Sequence, residues 1–270
     1  VQGEVNFLAR VTPPYFRRAE NTPGVRSVST QSFQNLLLLF NTASGPLRNR
    51  RLRRAVQLAI DYRGVVDALD GAVAPATGLV PPGLVGHVRD RRPRQNLTQA
   101  ARLLAQAGYG PGRRPLRLTL TYAAGDADQR LLVRRLAVAL RRLNVRLEAR
   151  ALSWQAQLAR ARAKEPERRQ DIFVMYWRPD YADAYSWYRN LFHGDDPSSL
   201  NFAYLKDEKT DERIDALPSL FATDRTAAQK AYADLQTRLV DELAVVAVPW
   251  VVVHQRAYLG GGRGYTDHPA

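Results

Sequence analysis

The chain has 270 residues, of which 45% are hydrophobic, and it carries a formal net charge of +14 at pH 7. A chain of this length can bury a large core and makes one large or two modest domains. It contains no cysteine, which excludes a disulfide framework and cysteine-ligated metal sites, and no apolar run approaches the ~18–20 residues of a membrane span.

The N-terminal segment is predicted to be irregular up to a first buried strand. Residues 3–7 and 25–28 are candidates for short strands on either side of a Pro-Gly turn. Residues 33–41 are almost wholly apolar before they end in an asparagine. This run predicts a buried strand.

Two helices and a loop are predicted to follow. From Pro46 to Ile60 the apolar residues recur at helical spacing with arginines on the opposite side, which predicts a helix. A second, shorter helix is predicted at residues 65–69. The Gly- and Pro-rich residues 71–86 are predicted to form a loop. A helix capped by Asn96 or Thr98 comes next.

The middle of the chain alternates strands with helices. Strands are predicted at residues 116–122, at Val145–Leu152 and at Ile172–Trp177, and amphipathic helices lie between them. Successive β-α-β units form a parallel sheet that is covered on both faces. The sequence therefore predicts the α/β fold class.

The C-terminal part is predicted to be mainly helical before one last strand. Helices are expected at residues 183–192, at 207–221 with an interruption at Pro218, and at 226–243. Residues 245–254 are apolar and β-branched, interrupted by Pro249, and predict a buried strand. A glycine-rich segment, residues 260–264, follows it.

The end of the predicted strand Ile172–Trp177 is the candidate ligand site. Arg178 and Pro179 stop the strand, so that Asp180 lies just past its carboxyl end. In open α/β sheets, ligands bind at strand ends of this kind. Asp180 is expected to neutralise a cationic group, with Trp177 and Tyr181 as flat walls. The alternative is that Asp180 is a turn residue and the aromatic residues belong to the core.

Signatures of catalysis are missing. The sequence has no G-x-S-x-G elbow, no Walker loop and no His-Glu-x-x-His motif, and its four histidines are scattered. Asp180 and Asp183 are a possible carboxylate pair, but no separate nucleophile or base accompanies them. A binding protein without metal or cofactor is therefore favoured over an enzyme.

The positive charge comes almost entirely from arginine. Only four of the 40 basic residues are lysines, and the 36 arginines are spread over almost every segment. This bias resembles codon composition more than one built patch, so nucleic-acid binding is not expected. Denser runs occur at residues 48–54 and 89–94. They are interpreted as solvated surface, with a phosphate-binding site as the alternative.

Several motifs, taken in their order and spacing, carry a resemblance to a known family. They are LFNT at residues 39–42, PL at 46–47, RRAVQLAID at 53–61, GAVAPA at 71–76 with VPPG at 80–83, ARLLAQAGY at 101–109, WRPDYAD at 177–183 and NFAY at 201–204. Together they resemble the family 5 extracellular solute-binding proteins of ABC transporters, which include oligopeptide-, dipeptide- and nickel-binding proteins.

The resemblance implies a periplasmic-binding-protein-like fold of type II, class C. Full members have two lobes and about twice this length, and this chain resembles their C-terminal half. Residues 1–38 would end lobe I, residues 39–248 would form lobe II, and residues 249–270 would return to lobe I. Residues 36–41 and 248–253 would be the strands that cross between the lobes, which close on the ligand.

The resemblance also implies roles for individual residues. In the peptide-binding members, the aspartate that matches Asp180 pairs with the α-ammonium group of the ligand. Trp177 and Tyr181 match neighbouring positions, and Trp154 matches a tryptophan that lines the peptide pocket. Arg178 departs from the pattern, because a guanidinium group there opposes a cationic ligand. A zwitterionic or non-peptide ligand would resolve this conflict.

The function that the resemblance implies is solute capture for an ABC importer. The expected partners are a peptide or similar small solute and the membrane permease of the transporter. The expected location is the periplasm or the cell surface, with a lipid anchor upstream, and the expected state is a monomer. Two alternatives stay open at this point: the sensor domain of a cytoplasmic transcriptional regulator, and a nucleic-acid binder that acts through its arginines.

Overall fold

The computed structural model describes residues 6–9, 11–194, 200–260 and 265–269. Its strands are β1 (Phe7–Leu8), β2 (Val25–Phe40), β3 (Val73–Pro75), β4 (Leu116–Ala123), β5 (Val145–Leu152), β6 (Ile172–Trp177), β7 (Val246–Ala247) and β8 (Trp250–Leu259). Its helices are α1 (Pro13–Glu20), α2 (Arg50–Ala59), α3 (Tyr62–Ala68), α4 (Leu97–Gln106), α5 (Ala127–Arg142), α6 (Trp154–Ala161), α7 (Tyr185–Phe192), α8 (Glu208–Thr223) and α9 (Arg225–Thr237). Short 3₁₀ turns lie at Pro46–Arg48 and Pro166–Arg168, and a π-helical turn at Arg238–Glu242 follows α9.

All eight strands belong to one mixed sheet. The order along it is β1-β8-β2-β6-β4-β5, with β3 paired to β8 and β7 paired to β2. Strand β4 is parallel to both β5 and β6, as expected for β-α-β units, whereas β2 is antiparallel to its neighbours β6 and β8. The predicted α/β class is confirmed.

Strand β2 pairs with different neighbours along its two halves. Its first half pairs with β8, from Val25 opposite Leu259 onward, and its second half pairs with β6, from Asn35 opposite Trp177 onward. The register with β8 shifts between Gln31 and Asn35, which marks a bulge. The two separate strands predicted here are therefore one strand, because the polar first half is held by β8.

The C-terminal residues return to the bulge of β2. The Phe33 amide, which the bulge releases from the ladder, donates a hydrogen bond of 2.8 Å to the Pro269 carbonyl. The ring of His268 meets Phe33 edge to face, with 6.4 Å between the ring centroids. A side-chain ion pair between Arg256 and Asp267 fixes the same tail to β8. These contacts satisfy a buried backbone donor at the point where the ladder is broken.

The core lies on both faces of the sheet. In β2, Leu37 and Leu39 face one buried cluster with α7, α8 and α9, while Leu36 and Leu38 face the other with α2, α4 and α5. Because successive side chains of a strand point to opposite faces, a strand buried on both sides has a continuous apolar sequence. This explains the unbroken leucine run and confirms the predicted double cover.

Short polar side chains define where most helices begin. The side chain before the first helical residue accepts a hydrogen bond from a backbone amide of the first turn in seven helices, through Asn49, Asp61, Asn96, Asp126, Ser153, Asp207 and Asp224. Such caps satisfy amides that have no partner within the helix. Of the two caps considered for α4, Asn96 is the one observed.

Further predicted elements are corrected. Residues 73–75, predicted as loop, form β3 because β8 offers them a free edge. Pro46 opens a 3₁₀ turn, and α2 begins only after the Asn49 cap. Helix α8 continues through Pro218, since Ile214 and Leu217 are buried against the core. Helix α7 begins at Tyr185. Residues 3–5 and 261–264 lie outside the described residues.

The arginine run at residues 48–54 is not wholly solvated surface. Arg53 is only 6% exposed, and its guanidinium group donates to the carbonyl oxygens of Leu47, Arg48, Leu243 and Ala244 at 2.6–3.2 Å. Burial lowers the pKa of Arg53 to about 10. One arginine of the run therefore joins the start of α2 to the end of the π-helical turn.

Candidate functional site

A surface depression lies at the carboxyl end of β6. It has a volume of about 550 Å³ and is lined by Gln34, Trp154, Met175, Tyr176, Trp177, Arg178, Pro179, Asp180 and Leu200. Strands β4, β5 and β6 run parallel, so the end of β6 and the start of α6, which follows β5, meet at the same edge of the sheet. Strand ends of this kind hold ligands in open α/β sheets.

Asp180 presents an accessible carboxylate on the rim of this depression. The residue is exposed, and its carboxylate accepts one long hydrogen bond, 3.5 Å, from the amide nitrogen of Asn190. A bond of this length is at the limit of a hydrogen bond and holds the group weakly. Within the described part of the chain, no arginine or lysine forms an ion pair with Asp180. The carboxylate is therefore available to a cationic group.

Arg178 lines the same depression two residues earlier. It is exposed, and among the described residues it has no ion-pair partner. Arg178 therefore lies where the sequence predicted that it would oppose a cationic ligand, next to Asp180. A positive and a negative side chain lie on one rim, and neither charge is neutralised by a described neighbour.

Trp154 forms a wall of the depression. It is the first residue of α6, where the Ser153 side chain caps the helix by accepting from the Ala156 amide at 3.3 Å. Its ring meets Phe173 edge to face at a centroid distance of 5.9 Å, and 42% of the residue stays exposed. A tryptophan that is supported from behind and open in front is suited to contact an apolar or planar part of a ligand.

Trp177 and Tyr181 contribute less than predicted. Trp177 is only 9% exposed, packs within the core, and its indole nitrogen donates to the Ser186 hydroxyl at 3.4 Å. This position favours the core-packing alternative for most of its ring. Tyr181 is 56% exposed and does not line the depression. Burial, with nearby Asp183, raises the pKa of Tyr181, so its phenol is a neutral donor at pH 7.

Asp183 is engaged in structure and does not form a second free carboxylate. It accepts the backbone amide of Tyr185 at 2.8 Å and the hydroxyl of buried Tyr232 at 2.9 Å. Burial raises the pKa of Tyr232, and the neighbouring carboxylate adds to the effect. The carboxylate pair with Asp180 considered from the sequence therefore has one member that is already occupied.

Five lining residues were not predicted as site residues from the sequence: Gln34, Met175, Tyr176, Pro179 and Leu200. Gln34 reaches the depression because it lies in the bulge of β2, where its backbone amide donates a hydrogen bond of 3.1 Å to the Ser32 hydroxyl. Met175 comes from the middle of β6, and Leu200 follows the segment 195–199, which lies outside the described residues. Only the pairing of β2 with β6 brings Gln34 to this place, so no local signal identifies it.

Two further features of the described residues bear on function. Groups of three or more histidine, aspartate or glutamate side chains arranged to hold a metal ion are absent from the described part of the chain. Among its helices, none has the length and apolar character needed to cross a bilayer.

Comparisons with known proteins place the chain in a wider group. Residues 1–199 match the family model described as bacterial extracellular solute-binding proteins, family 5 middle. The chain is 29% identical, over 126 residues, to the periplasmic murein peptide-binding protein MppA of Escherichia coli; this alignment covers 44% of the chain and 23% of that protein. The chain spans at most about half the length of the curated relatives it matches.

Solved structures share the fold. The oligopeptide-binding protein AppA of Bacillus subtilis, solved with a nonapeptide, has a TM-score of 0.82 at 19% identity; the match covers 99% of this chain and 54% of that one. NikA of Brucella suis, solved with Fe(III)-EDTA, has a TM-score of 0.81 at 19% identity, with 99% and 55% covered. The fold is thus that of the type II periplasmic binding proteins, as predicted.

Proposed function

Because this chain belongs to the bacterial extracellular solute-binding proteins of family 5, we propose that it captures a small solute with a cationic group for an ABC importer. The observation that carries the proposal is Asp180, whose carboxylate is exposed at the carboxyl end of β6 beside the open face of Trp154. Relatives named as peptide-binding, such as MppA and AppA, support a peptide or similar solute.

The charges on the rim suit a zwitterion. Asp180 attracts an ammonium group, and Arg178, on the same rim, attracts a carboxylate. Both attractions strengthen when water is excluded, because the Coulomb energy of a charge pair rises as the effective dielectric constant falls. A short peptide or an amino-acid derivative with both charges therefore satisfies the two side chains at once.

Enclosure of the ligand requires a second lobe. We propose that residues 1–38 and 249–270 belong to lobe I, and residues 39–248 to lobe II, with the strands at 36–41 and 248–253 crossing between them. The change of partner along β2 supports this division, since its first half is paired with β8 and its second half with β6. Closure about these strands would bury the depression.

The remaining parts of the proposal follow from the family. The protein would act as a monomer outside the cytoplasm, held near the membrane by a lipid anchor, and would deliver its ligand to a membrane permease. It would catalyse no reaction. The relatives and structures named above are all binding proteins, so they support the importer and give no support to the regulator alternative.

The test is calorimetric titration of the full natural chain with a panel of short peptides, each compared with its N-acetylated form. We expect Asp180→Asn to weaken binding of the free peptide by about 2–5 kcal/mol, the loss typical of a buried charge pair that loses one partner. N-acetylation should cause a similar loss in wild type and little further loss in the variant.

Arg178→Gln tests the proposed contact with the carboxylate of the ligand. It should weaken the binding of peptides with a free carboxylate more than the binding of the corresponding peptide amides. Glu165→Gln, an exposed carboxylate outside the depression, serves as the matched control. Equal affinity of wild type and Asp180→Asn for every peptide that binds would refute the assignment of the ammonium site. Melting temperatures should stay unchanged, since Asp180 is exposed.

A further inference from the structure

A second cavity lies away from the depression at β6 and shares no lining residue with it. It has a volume of about 520 Å³ and is formed by α3, by the segment 91–95 that precedes α4, and by residues next to β3 and β8. Val66, Pro75, Ala76 and Pro249 give it an apolar wall. Small-molecule sites in proteins have volumes of this order, from about 300 to 1,000 Å³, and walls of this kind.

The carboxylates that line this cavity are already paired. Asp61 accepts a hydrogen bond of 3.0 Å from Arg135, and Asp67 lies 3.5 Å from the guanidinium group of Arg63. Arg91, which also lines the cavity, forms an ion pair with Asp241. The negative charge of the lining is therefore neutralised by arginine partners.

Two arginines of the lining lack such partners. Arg92 and Arg94 are exposed, line the cavity, and form no ion pair with any described residue. They belong to the run at residues 89–94, for which the sequence left solvated surface and phosphate binding open. With the acids paired, these two guanidinium groups leave the cavity positively charged.

The segment that carries these arginines is fixed in place. The Gln95 side chain donates a hydrogen bond of 2.9 Å to the Ala59 carbonyl. The backbone amide of Asn96 donates a hydrogen bond of 2.8 Å to the Leu58 carbonyl. The ion pair of Arg91 with Asp241 holds its other end. Anchoring on both sides reduces the conformational entropy that Arg92 and Arg94 lose when they bind an anion.

Tyr62 adds a polar group with no described partner. The residue lines the cavity, is only 9% exposed, and its hydroxyl forms no hydrogen bond within the described part of the chain. Burial raises the pKa of Tyr62, so the hydroxyl keeps its proton and remains a donor at neutral pH. This hydroxyl has no acceptor among the described residues, so it is available to donate a hydrogen bond to a ligand in the cavity.

We propose that this cavity binds a small organic anion with an apolar body. Arg92 and Arg94 hold its carboxylate or phosphate group, the Tyr62 hydroxyl donates a hydrogen bond to the same group, and the wall of Val66 and Pro75 receives the apolar part. Arginine suits this role because its planar donors match carboxylate and phosphate oxygens. The site does not use Asp180 and does not depend on the function proposed above.

The experiment is calorimetric titration of the full natural chain with phenyl phosphate, inorganic phosphate and benzyl alcohol. We expect phenyl phosphate to bind most tightly, because it alone has both the charge and the apolar body. The Arg92→Gln/Arg94→Gln double variant should weaken its binding by about 10-fold or more, and Tyr62→Phe by about 3- to 10-fold. Melting curves check that each variant is folded.

Arg89→Gln is the matched control, because Arg89 belongs to the same run but does not line the cavity. It should leave the affinity for phenyl phosphate unchanged. Three results would each overturn the proposal: no binding of phenyl phosphate at several times ~1 mM, a loss with Arg89→Gln as large as with the double variant, or benzyl alcohol binding as tightly as phenyl phosphate. Full affinity in Tyr62→Phe would remove the hydroxyl from the site and with it the proposed geometry.

Discussion

The buried guanidinium group of Arg53 gives the sharpest prediction about stability. It donates to four backbone carbonyls that come from two distant parts of the chain, Leu47 and Arg48 on one side and Leu243 and Ala244 on the other. Carbonyls at these ends have no partner within a helix. Arg53→Met keeps the apolar stem and removes every donor, so it isolates the contribution of the hydrogen bonds.

The magnitude follows from the contacts. Three of the bonds are 3.0 Å or shorter, to Leu47, Arg48 and Leu243. A hydrogen bond from a charged group contributes about 1.5–3 kcal/mol, which would give roughly 5–9 kcal/mol for three. The cost of burying the charge, visible in the lowered pKa of Arg53, offsets part of this. We therefore expect Arg53→Met to lower the free energy of unfolding by about 3–5 kcal/mol.

Urea unfolding followed by far-ultraviolet circular dichroism measures the effect. Arg53→Lys, with fewer donors and a compact charge, should lose an intermediate amount. Arg51→Met is the matched control, because Arg51 lies in the same helix with an exposed side chain, and its loss should stay within about 0.5 kcal/mol. A loss below about 1 kcal/mol in Arg53→Met would refute the reasoning that these carbonyls depend on the guanidinium group.

Three further variants test the core and the bulge by urea unfolding. Asn35→Leu leaves the Leu79 carbonyl and the Trp187 indole without partners and should cost about 2–4 kcal/mol; a neutral result would contradict the role of this amide. Gly86→Ala, at a φ of 91° and with its new methyl group against the Tyr232 side chain, should cost about 2 kcal/mol or more, and an unchanged midpoint would count against it. Burial raises the pKa of Asp171, so the folded state binds this proton more tightly than the unfolded state. The carboxyl group therefore stabilises the fold most at a pH below its ordinary pKa of about 3.9. This contribution is lost as the pH rises through the raised pKa. The stability of wild type relative to Asp171→Asn should accordingly fall as pH rises above about 4, whereas a difference that does not change with pH would exclude the effect.

Much of the fold was predictable where local signals were strong. Strands β5 and β6 have the predicted bounds, because alternation or a short apolar run is enclosed by turn residues at both ends. The first half of β2 was predicted only as a short separate strand at residues 25–28, and β3 was predicted as loop. These polar or proline-containing sequences form full strands because β8 supplies a ladder from more than 170 residues away. Local propensity does not contain that partner.

Some residues of the candidate site were predictable from local sequence, and others were not. Asp180 and Arg178 were predictable because they directly follow a buried strand, and both lie on the depression. Trp177 was predicted as a wall but is mostly core, since an aromatic residue at a strand end has no sequence signal for which face it occupies. Gln34 was missed because a bulge, set by distant pairing, brings it to the site. The burial of Arg53 was missed because its partners Leu243 and Ala244 are distant in the sequence.

The pairing of β2 with two different strands restricts how the molecule can bend. A strand that is laddered to β8 along one half and to β6 along the other cannot slide past either without breaking several hydrogen bonds together. Bending is cheapest where the ladder is already interrupted, between Gln31 and Asn35. Gln34 lies within this interrupted part of the ladder and also lines the depression. We therefore expect a solute that contacts Gln34 to act on β2 at the point where bending breaks the fewest hydrogen bonds.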